Sequence, residues 1–226
     1  MSPVTRGVVI VVLLWIGAPS TAVAQSPRWY AGAALGVSAL SADGRSVSMP
    51  PRASLSLYKP ENGLALNTFA GIHLAEYFSV QANYMWNRND LTLVASALTA
   101  DSGGFYEQRR RSAQHAMVAD GLIYFRRRDS AIRPYLATGL SVFRFTSGTV
   151  VSSVSNNLSA PLQEIASTRI ALRSSVGVDI ALSRAVSLRY TFSETISRNP
   201  ISPHLMPMGE RRLGNFQNLI GVVAHF

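Results

Sequence analysis

The sequence predicts an all-β chain: eight antiparallel strands closed into an up-and-down barrel that crosses a membrane. Three observations predict it. Segments of about ten residues recur in which every second residue is apolar, the period of a strand with two unlike faces. The spacers between those segments alternate short and long. The chain also opens on an export-like stretch, and no later run approaches the roughly 18 consecutive apolar residues of a membrane helix.

Residues 1–24 carry one basic residue (Arg6), an apolar run from Val8 to Ile16, and small residues ending Ala22-Val23-Ala24. That is the charged, apolar and cleavable order of a secretory signal, with a cut expected after Ala24. The run is far short of the roughly 20 residues a helical anchor needs. The mature chain, 25–226, then has 202 residues and fits one domain, the barrel itself. It has no cysteine, which excludes a disulfide framework and thiolate chemistry. Arg6 leaves with the signal, so 20 basic residues face 12 acidic ones and the net charge is +8. Such a balance favours anionic partners. Export makes nucleic acid the least fitting of them and leaves the lipid bilayer and lipopolysaccharide.

Taken in order, the strands are WYAGAALGVS (Trp29 to Ser38), LALNTFAGIHL (Leu64 to Leu74), and the clearest, in which Phe78, Val80, Ala82, Tyr84 and Trp86 alternate with Ser79, Gln81, Asn83, Met85 and Asn87. HAMVADGLIYF (His115 to Phe125) and RPYLATGLSVFRF (Arg133 to Phe145) follow. The sixth sets Ile170, Leu172, Val176, Val178 and Ile180 against Ala171, Arg173, Ser175, Gly177 and Asp179. In the seventh, Val186, Leu188, Tyr190 and Phe192 alternate with Ser187, Arg189, Thr191 and Ser193; the eighth is NFQNLIGVVAHF. An even number of antiparallel strands of this length meets the requirement for a transmembrane barrel. The aromatics Trp29, Tyr84, Trp86, Tyr190 and Phe192 suit interfacial girdles, which a soluble ligand-binding calyx would not need.

Three spacers are short, around Ala75–Tyr77, Arg126–Ile132 and Leu182–Ala185. Four are long, roughly Ala39–Gly63, Asn89–Gln114, Thr146–Thr168 and Glu194–Gly214. Short periplasmic turns and long extracellular loops produce this rhythm when both termini face the periplasm.

The last strand ends Gly221, Val222, Val223, Ala224, His225, Phe226. It resembles the assembly signal of bacterial outer-membrane barrels, with Gly221, Ala224 and Phe226 at the glycine, penultimate apolar and terminal aromatic positions. Leu219 stands where that pattern has a polar residue. The whole mature chain resembles the OmpA/OmpX-type eight-stranded barrels; WYAGAALGVS, RPYLATGLS and SLRYTF are similar to their first, fifth and seventh strands. The resemblance implies the bacterial outer membrane, a terminal Phe226 read by the barrel assembly machinery, and closure of the last strand on the first. An open edge in lipid would leave backbone groups unpaired.

Catalytic chemistry finds little footing. Barrels of this size include lipid A deacylases, which carry a His-x-Ser pair on a strand near the C-terminus. Neither His204 nor His225 has that neighbour, and His73 and His225 read as members of a polar interior ring near the turns. No His or carboxylate cluster has metal-ligand spacing, Asp101 and Glu107 read as loop acids, and no cofactor motif appears. Two basic runs stand out. Arg109, Arg110 and Arg111, at the returning end of the second long spacer, suit lipopolysaccharide phosphate or another polyanion. Arg126–Arg128, in a short turn, suits phospholipid headgroups. Inside the barrel Asp120, Arg173, Asp179 and Arg189 form an expected lumen charge network. Setting Ile180 opposite Val186 places Asp179 diagonal to Arg189, within reach of a long side chain. The function expected is structural or surface-interacting, through four long extracellular loops and an extracellular ligand; a small-solute pore and a lipid A-modifying enzyme stand as alternatives.

Overall fold

The computed structural model describes residues 28–41, 46–48, 53–98, 103–155, 164–204 and 212–226. The expected signal, residues 1–24, lies outside them, as does Asp101. Ten strands occur among the described residues: β1 (Trp29–Leu40), β2 (Ser46–Ser48), β3 (Ala53–Pro60), β4 (Gly63–His73), β5 (Phe78–Leu98), β6 (Gly103–Tyr124), β7 (Ile132–Ser155), β8 (Glu164–Ala181), β9 (Val186–Arg198) and β10 (Arg212–His225). Eight of them, β1, β4, β5, β6, β7, β8, β9 and β10, form a closed antiparallel ring. The ring closes where β10 meets β1, from Tyr30 opposite His225 to Leu40 opposite Asn215. Trp29 and Phe226 exchange backbone hydrogen bonds of 3.0 Å in both directions, so the last residue of the chain completes the seam.

The period-two segments fall on the faces their chemistry requires. Ser79, Gln81, Asn83, Met85 and Asn87 of β5 point into the lumen, while Val80, Ala82 and Tyr84 point outward. On β8 and β9, Arg173, Ser175, Asp179, Ser187, Arg189, Thr191 and Ser193 turn inward, against Ile170, Leu172, Val176, Ile180, Tyr190 and Phe192 outside. Two tyrosines lock neighbouring strands by lying over a glycine directly opposite. A Cβ on Gly71 would come within 2.4 Å of the Tyr30 ring, and one on Gly177 within 2.4 Å of Tyr135.

The long spacers differ from expectation. The second and third are mostly strand: β5 and β6 stay paired from Phe78–Ile123 to Leu98–Gly103, and β6 and β7 as far as Phe105–Ser155. The first spacer contains β2 and β3, and β3 continues the sheet by pairing with the far part of β5, from Leu91 to Leu98. Far from the chain termini the wall therefore becomes a raised sheet, β2–β3–β5–β6–β7–β8. Its polarity is reversed. Beyond Asn87 and Asn89, which still point inward, the inward residues of β5 are Leu91, Leu93 and Ala95, while Arg88, Asp90 and Thr92 point outward. Leu91, Leu93, Ala95, Phe143, Phe145, Ile165, Ile201 and Leu213 make a dry core inside this far half. A sequence search for outward apolar residues therefore loses these strands at the point where the surrounding solvent changes.

Candidate functional site

The lumen near the termini holds a polar network built from four strands, β5, β6, β8 and β9. Arg189 (β9), 2% exposed, donates from Nε to Asp179 Oδ1 at 2.6 Å and from Nη2 to Asp179 Oδ2 at 2.7 Å. Its Nη1 donates to Gln81 Oε1 (2.7 Å), and Nη2 also donates to the Tyr124 hydroxyl (3.0 Å), which in turn donates to Asp179 Oδ2 (3.1 Å). From Gln81 the chain of bonds runs through Nε2 to Asn83 Oδ1 (2.6 Å) and from Asn83 Nδ2 to Asp120 Oδ2 (3.0 Å). There Arg173 Nη1 donates to the same carboxylate. The structure thus brings Asp120, Arg173, Asp179 and Arg189 into one continuous network, with Gln81, Asn83 and Tyr124 as links. Tyr124 was missed by sequence reasoning, though it shares a strand and a parity with Asp120.

The register differs from expectation by two residues. Ile180 faces Leu188 rather than Val186, and Asp179 lies directly opposite Arg189. The turn sets this. Leu182 and Ser183 both donate to the Val186 carbonyl, and Ser183 Oγ accepts from the Ala185 and Val186 amides, leaving three residues at the tip. The expected pairing, carried to its end, would leave one residue there. A slip of two keeps every side chain on its face, so the partners survive the change.

Around this network stand Tyr30, Tyr135 and Phe69, whose rings lie 5.5, 5.1 and 4.7 Å from the Arg189 guanidinium carbon. His73 Nδ1 is 2.5 Å from Ser79 Oγ, and His225 Nε2 is 3.0 Å from Ser187 Oγ; the two imidazoles stack at 6.3 Å. Among the described residues no carboxylate hydrogen-bonds to either imidazole of these Ser–His contacts, and all four side chains line the interior wall. The cavity beside Asp120, Arg173 and Arg189 measures about 10 Å³, as does a second one bounded by Asn87, Gln114 and Asn215; each has room for about one water. Above them Gln217 bonds Asn87 (2.5 Å) and Asn215 bonds Gln114 (3.0 Å) across the lumen. The apolar core closes the far half, helped by Ile201, whose amide is held by Asn199 Oδ1 at 2.9 Å.

The first basic run lies on strand β6, not in a loop, and period two divides it. Arg110, 1% exposed, turns inward and donates to Ser147, Gln108 and Thr149 at 2.7–3.0 Å, beside a bulge between Arg109 and Arg110. It is therefore removed from the expected surface contact, because neighbouring residues on a strand cannot share a face. Arg109 and Arg111 remain outside, Arg111 with Asp90 at 3.9 Å. Glu107 is likewise on β6. In the second run Arg127 lies 3.7 Å from Asp129, and Arg128 holds the neighbouring turn through Glu76 and the Ala75 carbonyl. Of the terminal motif, Gly221 packs where a Cβ would meet the Ala33 carbonyl at 2.1 Å, while Ala224 and Phe226 face outward, Phe226 at 66% exposure.

A family described as "Outer membrane protein beta-barrel domain" matches residues 8–226. No curated protein matches the chain. Among solved structures, Neisserial surface protein A has a similar fold, with a TM-score of 0.52 and 16% identity over 88% of this chain and 97% of that one. The outer membrane protein OprG of Pseudomonas aeruginosa gives a TM-score of 0.48 and 12% identity, covering 89% and 96%. The N-terminal barrel domain of OprF from the same organism gives 0.47 and 11%, covering 89% and 100%. At these identities the first likeness speaks for the fold alone.

Proposed function

The chain belongs to the outer membrane protein β-barrel domain family, and from that premise we propose a closed barrel that acts at the cell surface through its raised sheet and conducts no solute. Both termini lie on the periplasmic side in this reading, with the far end outside the cell. One observation carries it: the lumen is filled at successive levels, by the Asp179–Arg189 network, by the Asn87–Gln217 and Gln114–Asn215 bridges, and by the apolar core. A solute would have to break buried ion pairs and then cross a dry plug. The lumen charges hold the wall strands together, and the assembly machinery reads the terminal strand through Phe226.

Planar-bilayer recording on refolded protein tests the reading, which requires the absence of steady conductance. A stable single-channel current from the folded wild type would overturn it in favour of a pore. An epitope inserted between Asn156 and Asn157 should be reached by antibody on intact cells, whereas one inserted after Arg184 should not. The reverse pattern would invert the barrel.

A further inference from the structure

The outward wall changes chemistry just above Tyr84 and Trp86. Across β5, β6 and β7 the outward residues stand in register: Trp86, His115 and Arg144 in one row, Arg88, Ala113 and Thr146 in the next, Asp90, Arg111 and Gly148 in the third. Arg88, Arg111 and Arg144 are exposed and surround the half-buried methyl of Ala113. A Cβ at Gly148 would meet nothing within 4 Å, so the recess is open above. With strands about 4.8 Å apart and alternate residues about 6.7 Å apart, the Cα atoms of Arg88 and Arg111 are roughly 8 Å apart, those of Arg88 and Arg144 roughly 12 Å, and those of Arg111 and Arg144 roughly 14 Å. Side chains of arginine length close that gap onto a single anion.

Four acids lie nearby: Asp90 meets Arg111 in an exposed pair at 3.9 Å, the exposed Glu61 donates its amide to the Asp90 carbonyl at 2.8 Å, Glu107 lies two residues from Arg109 on β6, and Glu164 lies beside Gly148, two rows from Arg144. Arg88 and Arg144 have no acidic partner within 4.0 Å among the described residues. One row further out, Arg109 faces Thr92, whose other neighbour is Lys59. The height of the cluster selects its occupant. Tyr84 and Trp86 end the outward apolar belt, so the arginines stand at headgroup level and face sideways into the bilayer plane. An anion there is reached from the membrane.

We propose that Arg88, Arg111 and Arg144 form a phosphate cradle on the barrel wall that holds a lipid A phosphate of lipopolysaccharide, with acyl chains lying on the apolar wall below. The inference rests on the orientation proposed above, which puts this level in the outer leaflet. Arginine suits the task because its planar fork meets two phosphate oxygens at once.

The test uses barrel refolded without lipid into detergent, titrated with purified lipopolysaccharide and followed by tryptophan fluorescence. Saturable binding is expected, weakened about tenfold by each of Arg88→Gln and Arg144→Gln. Dephosphorylated lipid A should bind wild type no better than lipopolysaccharide binds the double variant. Arg88→Lys with Arg144→Lys should fall between, and Arg128→Gln, at the opposite end, should leave affinity unchanged. Heat-modifiable gel mobility verifies that each variant is folded. Equal affinity for dephosphorylated lipid A, or for phosphatidylglycerol micelles, would overturn the cradle. Heparin binding that needs the same arginines and displaces lipopolysaccharide would overturn it in favour of a soluble polyanion. If the epitope experiment inverts the barrel while phosphate selectivity stands, the lipid A assignment alone fails.

Discussion

Replacing Asp179 by Asn and Arg189 by Met, singly and together, measures what the inner network contributes to the barrel. Both side chains are at most 3% exposed and meet through two parallel bonds of 2.6 and 2.7 Å. Arg189→Met leaves a carboxylate whose described donors reduce to the Tyr124 hydroxyl, and Gln81 Oε1 loses its donor. Breaking a buried pair from one side costs about 3–5 kcal/mol, because the surviving charge cannot recover its hydration. Asp179→Asn should sit at the lower end of that range. The stranded guanidinium keeps Gln81, the Tyr124 oxygen and three aromatic rings within 5.5 Å, and such rings contribute roughly 0.5–2 kcal/mol to a desolvated cation. The double variant removes both charges of this pair but leaves the buried Arg133, which stands opposite Asp179 with its guanidinium carbon 3.9 Å from the Tyr124 ring centre, and the Asp120–Arg173 pair. Its loss should still fall below the sum of the single losses, with a coupling energy on the order of 1–3 kcal/mol. Urea unfolding of barrels refolded into lipid vesicles gives all four stabilities. The coupling should barely change with added salt, since screening reaches buried pairs weakly. Coupling within about 0.5 kcal/mol of zero, or coupling that salt erases, would show that water enters the lumen and that the closed-barrel reasoning is wrong.

The second pair should behave differently: Asp120 Oδ1 and Arg173 Nε are buried without a partner among the described residues, so Asp120→Asn should show a smaller coupling with Arg173→Met in the same assay. Gly177→Ala drives a methyl into the Tyr135 ring and should cost about 1–3 kcal/mol, whereas Gly148→Ala, with open space, should stay within about 0.5 kcal/mol of wild type. Deleting Phe226 removes two backbone hydrogen bonds, a net loss of about 1–3 kcal/mol in vesicles; folded yield in cells should fall much further, and an equal fall in both would mean the ring acts by packing alone. Arg110→Met should destabilise the raised sheet yet leave lipopolysaccharide affinity within about twofold, because its donors are spent inside the wall.

The membrane-crossing part was legible because lipid imposes a simple rule on each strand. Phe78 to Trp86, Ile170 to Ile180 and Val186 to Ser193 obey it without exception at the charged positions, and the lumen residues follow by parity. The short turns were legible from their residues, but the pairing register was not, since hydrogen bonds from Ser183 decide it and leave no mark on apolar spacing. The raised sheet was hidden for a stronger reason. Apolar residues switch from even to odd numbers between Trp86 and Leu91 on β5, and between Val142 and Phe143 on β7, so a continuous strand reads as a strand followed by a loop. Arg110 was misplaced by the same error.

That switch of parity also fixes the depth at which the barrel floats. Sunk by one row of residues, Arg88 and Arg144 would enter hydrocarbon; raised by one row, Tyr84 and Trp86 would leave the interface they favour. Below this waterline the chain is organised by lipid, with charge hidden in the middle. Above it the same strands are organised by water, with leucine and phenylalanine hidden in the middle. The molecule is two solvents' worth of protein drawn with one set of strands. A single-residue deletion at the line would turn one half of a strand inside out while leaving the other half correct.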